Sequence, residues 1–526
     1  MKTDYLNQLL QDKTLDKDSR MLLTALHEKI SAKEFSDILD DQGNQYVNFV
    51  QEGGGVWGTA LVGYLYALES FGVRFLRIAG TSAGAINTML IAALGDRSAN
   101  KSSAIKKILF RWNFVDFMDG KPVVRNVAGK ILRSSTYIRR SLFLVAVLLF
   151  IILLFPFLNL TLGISSWFYL IPFLIFMTLV LHFRDYYSLF RKNNIGLNPG
   201  HAFERKLKEA LDEFGIRTVE ELNQAYIKKG RDLGLNYRLG NESQYYDHAL
   251  AQIRKIHQEK SGSIDENRYR NFMTSMESTQ MYKDNPFLLL RSDYTVITTD
   301  INAKIKVEFP KMADLYWTSH DICNISPARF VRASMSVPYF FEPMVHQINR
   351  AEAEIVNAWK FWLNADPKAV FDEAVFIDGG SISNFPIDIF HENDIFYPRI
   401  PVFGARLTDS SEQGAENGLG SSRILKTPFS FLVNIFDTLK GYNDKMFLNK
   451  YSFYNKHSIQ SVDCSPSSWL NFFMEDQEKI VLFNKGFRAG LEFLERFDWE
   501  KYKTERMLVA LKERKILKDE NEQTVG

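Results

Sequence analysis

A chain of 526 residues and 60.8 kDa, 46% hydrophobic and 24% charged, can bury one large α/β domain with additions. Its net charge of +2 excludes nucleic acid as a general partner. The two cysteines, Cys323 and Cys464, form no C-x-x-C or zinc spacing, so a reducing compartment is expected, with no metal site and no cofactor.

Met1 to Asp41 reads as charged amphipathic helix, a packing or partner arm (1–41). The opening MKTDYLNQLLQDKTLDKDSR is polar, so no signal peptide is expected. Tyr46 to Val50 alternates like a strand, Gly53-Gly54-Gly55 follow, and Gly58 opens a helix that runs to Gly72. Three consecutive glycines cost backbone entropy that a simple connection need not spend. Without Cβ atoms, such a run can bring several N–H groups close to one oxygen, as an oxyanion hole requires. A flexible turn is the plainer alternative. A phosphate loop and a dinucleotide turn are not, because GGGVWG fits neither G-x-x-x-x-G-K-[ST] nor G-x-G-x-x-G.

Phe75 to Ala79 reads as an apolar strand and Ala85 to Leu94 as a helix that stops at Gly95. Between them, Gly80-Thr81-Ser82-Ala83-Gly84 is the G-x-S-x-G of a nucleophile elbow. A serine there sits at a helix N-terminus, where free N–H groups and the dipole favour developing negative charge. Taken alone, the pentapeptide is equally readable as a glycine-rich turn.

From Ser141 to Phe183 there is no Asp, Glu, Lys or Arg. That is about twice the roughly 20 residues of one membrane span, with a small-polar break at Asn159 to Ser166. The expectation is a two-helix transmembrane hairpin, inserted over 131–195 between two parts of one domain at 42–130 and 196–465. A re-entrant hairpin and a buried helical pair are the alternatives. Lys130, Arg133, Arg139 and Arg140 precede the run, and Arg184, Arg191 and Lys192 follow it. By the positive-inside tendency, the catalytic segments and both termini of a multi-pass protein then face the cytoplasm, a bacterial inner membrane being the expected setting. Trp167, Phe168, Tyr169, Tyr186 and Tyr187 suit an interface or a core equally.

Gly196 (GLNPGHAFERKLKEAL) begins a loop leading into an amphipathic helix, and the polar stretch within 241–284 reads as a lid or a solvated insertion. Ala374 to Ile377 is a short apolar strand that ends on Asp378, ahead of Gly379-Gly380. This carboxylate can serve a serine nucleophile as base, or it can belong to an ordinary D-G turn. None of the nine histidines has a recognisable catalytic setting. Asp409 to Ser422 is a loop by composition, and 466–526 returns to helix, with Val481, Leu482, Phe487, Leu491 and Leu494 spaced to pack on the domain.

Together, GGGVWG at 53, GTSAG at 80 and DGG at 378 resemble the G-G-G-x-[RK]-G, G-x-S-x-G and D-G-[GA] of the patatin-like phospholipase family. ASMSVPYFFEP at 333, Asn384 with Pro386, and YTVITTDINAKIKVEF at 294 are similar to further family segments. The resemblance implies an α/β fold, a three-layer α/β/α domain with a mostly parallel central sheet. It implies a dyad in which Asp378 takes the proton of Ser82, an oxyanion hole from Gly53, Gly54 and Gly55, and an elbow shaped by Gly80 and Gly84. The implied activity is hydrolysis of acyl esters of membrane lipids at the bilayer, where the hairpin would anchor the domain. The rival is a membrane-anchored scaffold that keeps the fold without useful catalysis. Trp57 stands where the family carries Arg or Lys, which weakens the phospholipid reading relative to neutral lipid or lysophospholipid. Trp57 either packs against acyl chain or fills space over the sheet.

Overall fold

The computed structural model describes residues 3–119, 177, 196–228, 234–240, 242–278, 293–392, 395, 397–409 and 441–517. Its strands are β1 (Ile38–Leu39), β2 (Gln45–Gln51), β3 (Val73–Thr81), β4 (Gly196–Asn198), β5 (Asn236–Tyr237) and β6 (Asp293–Asp300). They continue with β7 (Ile305–Phe309), β8 (Tyr339–Phe341), β9 (Met344–Gln347), β10 (Glu373–Asp378), β11 (Val402–Thr408) and β12 (Ile459–Asp463). The main sheet runs β12-β11-β2-β3-β6-β10-β9, with β7 beside β6 and β1 linking β2 to β5, while β4 and β8 form a separate parallel pair.

From β12 to β6 every neighbouring pair is parallel, whereas β7 and β10 run antiparallel to β6 and β9 antiparallel to β10. The sheet is therefore mixed, not mostly parallel, and the fold is α/β. At its centre, β3 is buried at every position and β2 at every position but its first. Parallel strands covered on both faces read as near-continuous apolar runs, as VRFLRIAGT does.

The helix Gly58–Ser70, which follows the triple glycine, is buried along its whole length. The C-terminal helix Asp476–Arg496 lies against it, backbone on backbone: a Cβ on Gly486 would stand 1.8 Å from the Ala60 carbonyl oxygen, and one on Gly63 1.9 Å from that of Phe483. Of the expected apolar stripe, Leu482, Phe487, Leu491 and Leu494 are buried, while Val481 is exposed. The same helix holds the N-terminal arm. Asn484 bonds the Thr14 carbonyl and the Asp16 N–H, and Arg488 pairs with Asp16, which caps the helix Lys17–Ser31. The helices Glu242–Glu259 and Glu266–Ser278, within the expected polar insertion, are docked by Ala249, Ile253 and Met273 in one core with Met507 and Ala510 of the helix Trp499–Glu513.

The expected multi-pass membrane topology is corrected. Among the described residues no helix is long and apolar enough to cross a membrane. The longest described helix, Asp476–Arg496, has 21 residues, yet Asp476, Glu478, Lys479, Lys485, Arg488, Glu492, Glu495 and Arg496 recur along it. A span needs length and an uncharged surface together. The run from Ser141 to Phe183, on which the hairpin expectation rests, lies outside the described residues apart from 177.

The Gly486 contact gives a direct test of this packing. Gly486→Ala forces the two helices apart and should lower stability by about 1–3 kcal/mol, the range for overpacking. A urea denaturation curve reads this as a lower midpoint with unchanged slope, and an unchanged midpoint contradicts the close crossing.

Candidate active site

Strand register brings the two sequence-predicted side chains to one place. β3 pairs with β6 from Arg77 opposite Asp293 to Thr81 opposite Ile297, and β10 pairs with it from Asp378 opposite Thr298 to Phe376 opposite Asp300. β7 pairs with β6 over Val296 to Asp300, overlapping both, so β3 and β10 must share the other edge. The two strands run towards each other along that edge, and their C-terminal residues Thr81 and Asp378 lie opposite successive residues of β6, roughly 3.3 Å apart along the strand. Ser82, next after Thr81, and Asp378 therefore lie near each other where the strands converge.

Ser82 opens the helix Ala83–Ala93 with φ +52° and ψ −114°, a conformation that L side chains seldom adopt, and it is buried. The turn is tight enough that a Cβ on Gly80 would lie 2.4 Å from the Gly84 backbone. The strain is held by the turn after the helix Ala328–Ser334. The Ser82 N–H donates to Ser334 Oγ at 2.8 Å, the Ser82 hydroxyl points at Met335 Sδ at 3.2 Å, and the Asp378 N–H donates to the Ser336 carbonyl at 2.8 Å. Of three consecutive residues, Ser334 and Met335 thus touch Ser82 and Ser336 touches the backbone of Asp378. Arg332, one turn earlier, anchors this segment through the Pro199 and Glu342 carbonyls, and burial pushes its guanidinium down to about 10, still cationic at neutral pH.

Asp378 Oδ1 accepts the Gly380 N–H at 2.6 Å. The loop that follows reaches back to the other two motifs: Thr81 Oγ1 donates to the Ser383 carbonyl at 3.0 Å, and the Gly53 N–H donates to the Asn384 carbonyl at 3.0 Å. Asn384 Nδ2 in turn donates to the Gly53 carbonyl and to Glu52. A Cβ on Gly53 would stand 3.1 Å from Ser82 Cβ, so the triple glycine lies directly over the serine. Gly55 adopts φ +53°, and a Cβ there would meet the Trp469 carbonyl oxygen at 2.2 Å, so glycine is required on both counts. With the Gly53 amide engaged, Gly54 and Gly55 carry the loop amides for which the described residues supply no acceptor.

Beyond the loop opens an apolar pocket whose free space, mouth included, is about 370 Å³. Gly55, Ala83 and Met335 border it on the serine side, and Ile86, Leu109, Trp112, Phe114, Phe117 and Phe472 form its walls. Trp57 is buried, with its indole N–H on the Ser467 carbonyl at 3.2 Å, so it fills space beside the loop and does not line the pocket. His346 and His391 bond the Tyr316 carbonyl and the Tyr454 hydroxyl. Among the described residues no cluster of His, Cys, Asp or Glu could hold a metal ion.

A family profile described as Patatin-like phospholipase matches residues 49–391, which take in the triple glycine, the elbow and the Asp378 loop. The chain belongs to the patatin-like phospholipase family. Over 212 residues this patatin-like chain is 23% identical to YqhO of Bacillus subtilis (strain 168), described as an uncharacterized protein; the match covers 40% of this chain and 60% of that relative. A solved structure, VipD from Legionella pneumophila, is similar at 13% identity and TM-score 0.34, covering 88% of this chain and 70% of that one. That likeness is too loose to bear on function.

In the sequence, ASMSVP is legible only as a family segment, with no sign of what Ser334, Met335 and Ser336 do. Nor does the sequence mark Asp444. Asp444, from the helix Tyr442–Lys450, is buried behind the Asp378 loop and accepts the Ser383 hydroxyl at 2.6 Å and the Phe385 N–H at 2.8 Å. Burial pushes its carboxyl up to about 7, with the two hydrogen bonds pulling the other way and Asp388 and Glu52 adding to the rise.

Ser334→Ala removes the acceptor of the buried Ser82 N–H. The expected loss is about 1–3 kcal/mol of stability, the penalty for stranding a buried donor. Chemical denaturation measures it, and a loss no larger than that of Ser319→Ala, at an exposed helix start, speaks against the bond.

Proposed function

We propose that the chain is a serine acyl hydrolase that cleaves lipid acyl esters through a Ser82–Asp378 dyad. The observation that carries this reading is the convergence of β3 and β10 on one edge of β6, which sets Thr81, the residue before a strained serine, and the strand-end Asp378 at successive register positions. In this reading the Ser82 hydroxyl turns from Met335 Sδ, a weak acceptor, towards Asp378. Ser82 Oγ then attacks the acyl carbonyl carbon as its proton passes to Asp378. The Gly54 and Gly55 amides hold the tetrahedral oxyanion, and Gly53, tied to Asn384, fixes the loop. The first amides of the Ala83–Ala93 helix add positive potential at the same point. Collapse expels the alcohol, which takes the proton back from Asp378. Water activated by Asp378 then cleaves the acyl-enzyme and frees the fatty acid.

The pocket supports an acyl chain as the substrate part nearest the serine. Its lining is apolar apart from Thr59 and Asn87, and no lining residue is charged. With Trp57 in place of a basic residue, no cation from that position is available to a phosphate, which favours neutral lipid.

A fluorophosphonate probe on the purified protein should label the wild type and leave Ser82→Ala unlabelled; equal labelling of both removes Ser82 as the nucleophile. Asp378→Asn should lower ester turnover by about 10²-fold or more while the fold is retained. Turnover within a few-fold of wild type in that variant assigns the base elsewhere.

A further inference from the structure

We propose that Asp444 is a positioning residue for this site, its carboxylate holding the 379–385 loop so that Asp378 stays against the elbow and Asn384 against the triple glycine. The proposal rests on the Ser82–Asp378 reading. Its basis is a chain of short bonds. Asp444 Oδ1 takes the Ser383 hydroxyl at 2.6 Å and Oδ2 takes the Phe385 N–H at 2.8 Å, the two residues flanking Asn384. Through the Ser383 carbonyl the loop binds Thr81, the residue before the nucleophile, and through the Asn384 carbonyl it binds Gly53. One buried carboxylate therefore sets base, elbow and oxyanion loop in a common frame, without touching substrate.

Both contacts come from donors, so both carboxyl oxygens must accept, which the ionised form does. A proton on the carboxyl obliges the Ser383 hydroxyl to turn from donor to acceptor and exchanges a charge-assisted bond for a neutral one about half as strong. The charged groups that face Asp444 are Asp388 in the turn Ile387–Phe390 and Glu52 at the end of β2, which oppose its ionisation, and Lys306 of β7, whose own pKa is raised by Asp388, Glu308 and Asp444. With the carboxyl pushed up to about 7, the charge needed by the loop is gained as pH rises through neutrality. Stability moves the opposite way. A folded pKa raised above its ordinary value of 3.8 means that stability present at low pH is lost as pH rises towards about 7.

The test uses the full chain, a chromogenic acyl ester and a fluorophosphonate. Asp444→Ala should lower kcat by about tenfold or more with KM nearly unchanged, and slow labelling of Ser82 in step. Asp444→Asn, a neutral isostere, should keep the loop at the level of the protonated wild type. The ratio of wild-type to Asp444→Asn turnover should then open as pH rises through about 7, while the wild-type denaturation midpoint falls relative to that of the variant between pH 4 and 7. If Asp444→Ala does not fold, Ser383→Ala, which deletes one of the two bonds, should show a smaller loss of kcat with the same pH dependence of the remainder. Wild-type kcat in Asp444→Ala, or a ratio to Asp444→Asn flat from pH 6 to 8, overturns the proposal. A Ser82→Ala protein that still labels overturns the underlying dyad instead, so the two failures are told apart.

Discussion

Everything at this site depends on two strands ending against each other on one edge of a third. β6 is long enough to pair with β3 over its first half and with β10 over its second, and β7 closes its other edge. Because β10 runs antiparallel to β6, its last residue points down at the end of β3, where a parallel strand would have carried Asp378 away. A one-residue slip of either strand turns its terminal side chain to the opposite face of the sheet. The mixed character of the sheet is therefore not incidental: antiparallel β10 is what brings Asp378, from far along the chain, to the end of the parallel strand that leads into Ser82.

Such a junction leaves backbone groups in need of partners and one residue in a disfavoured conformation, of order 1–3 kcal/mol of strain. The turn after the Ala328–Ser334 helix supplies the compensation, since Ser334 takes the elbow N–H and Ser336 takes the Asp378 N–H. Met335 between them meets the Ser82 hydroxyl with a sulfur. A thioether accepts weakly, so the hydroxyl is held loosely and is not committed to a strong acceptor.

The readable part of the site was the part where only one residue type fits. Gly55 needs a positive φ and room for a carbonyl, Gly80 and Gly84 need contact between backbones, and each left its mark as an invariant letter in a short pattern. Strands β2, β3 and β10 were legible within one or two residues, because buried strands bounded by glycine and aspartate declare themselves by apolar runs. The mixed pairing was not legible, since register and direction come from partners far away in sequence. Nor was Asp444: in GYNDKMF nothing separates a buried carboxylate from a solvated one, and its partners Ser383 and Phe385 lie some sixty residues earlier. Apolar length alone misled in the opposite direction. An uncharged run meets the composition of a membrane span, but the described helices supply none that crosses.

The family profile ends at residue 391, yet several groups that shape the site come after it. The Trp469 carbonyl takes the Val56 N–H and stands where any Cβ on Gly55 would fall, Phe472 walls the pocket and stacks on Phe340, Leu407 presses on Gly54, and Asp444 holds the loop behind Asp378. The triple glycine, Ser82, Asp378 and every pocket-lining residue but Phe472 thus lie within the region that the family profile matches, and the C-terminal portion, held by the backbone contact of Gly486 with Ala60, adds support around them. Residues of 441–474 bear on how firmly the triple-glycine turn and the loop behind Asp378 are held.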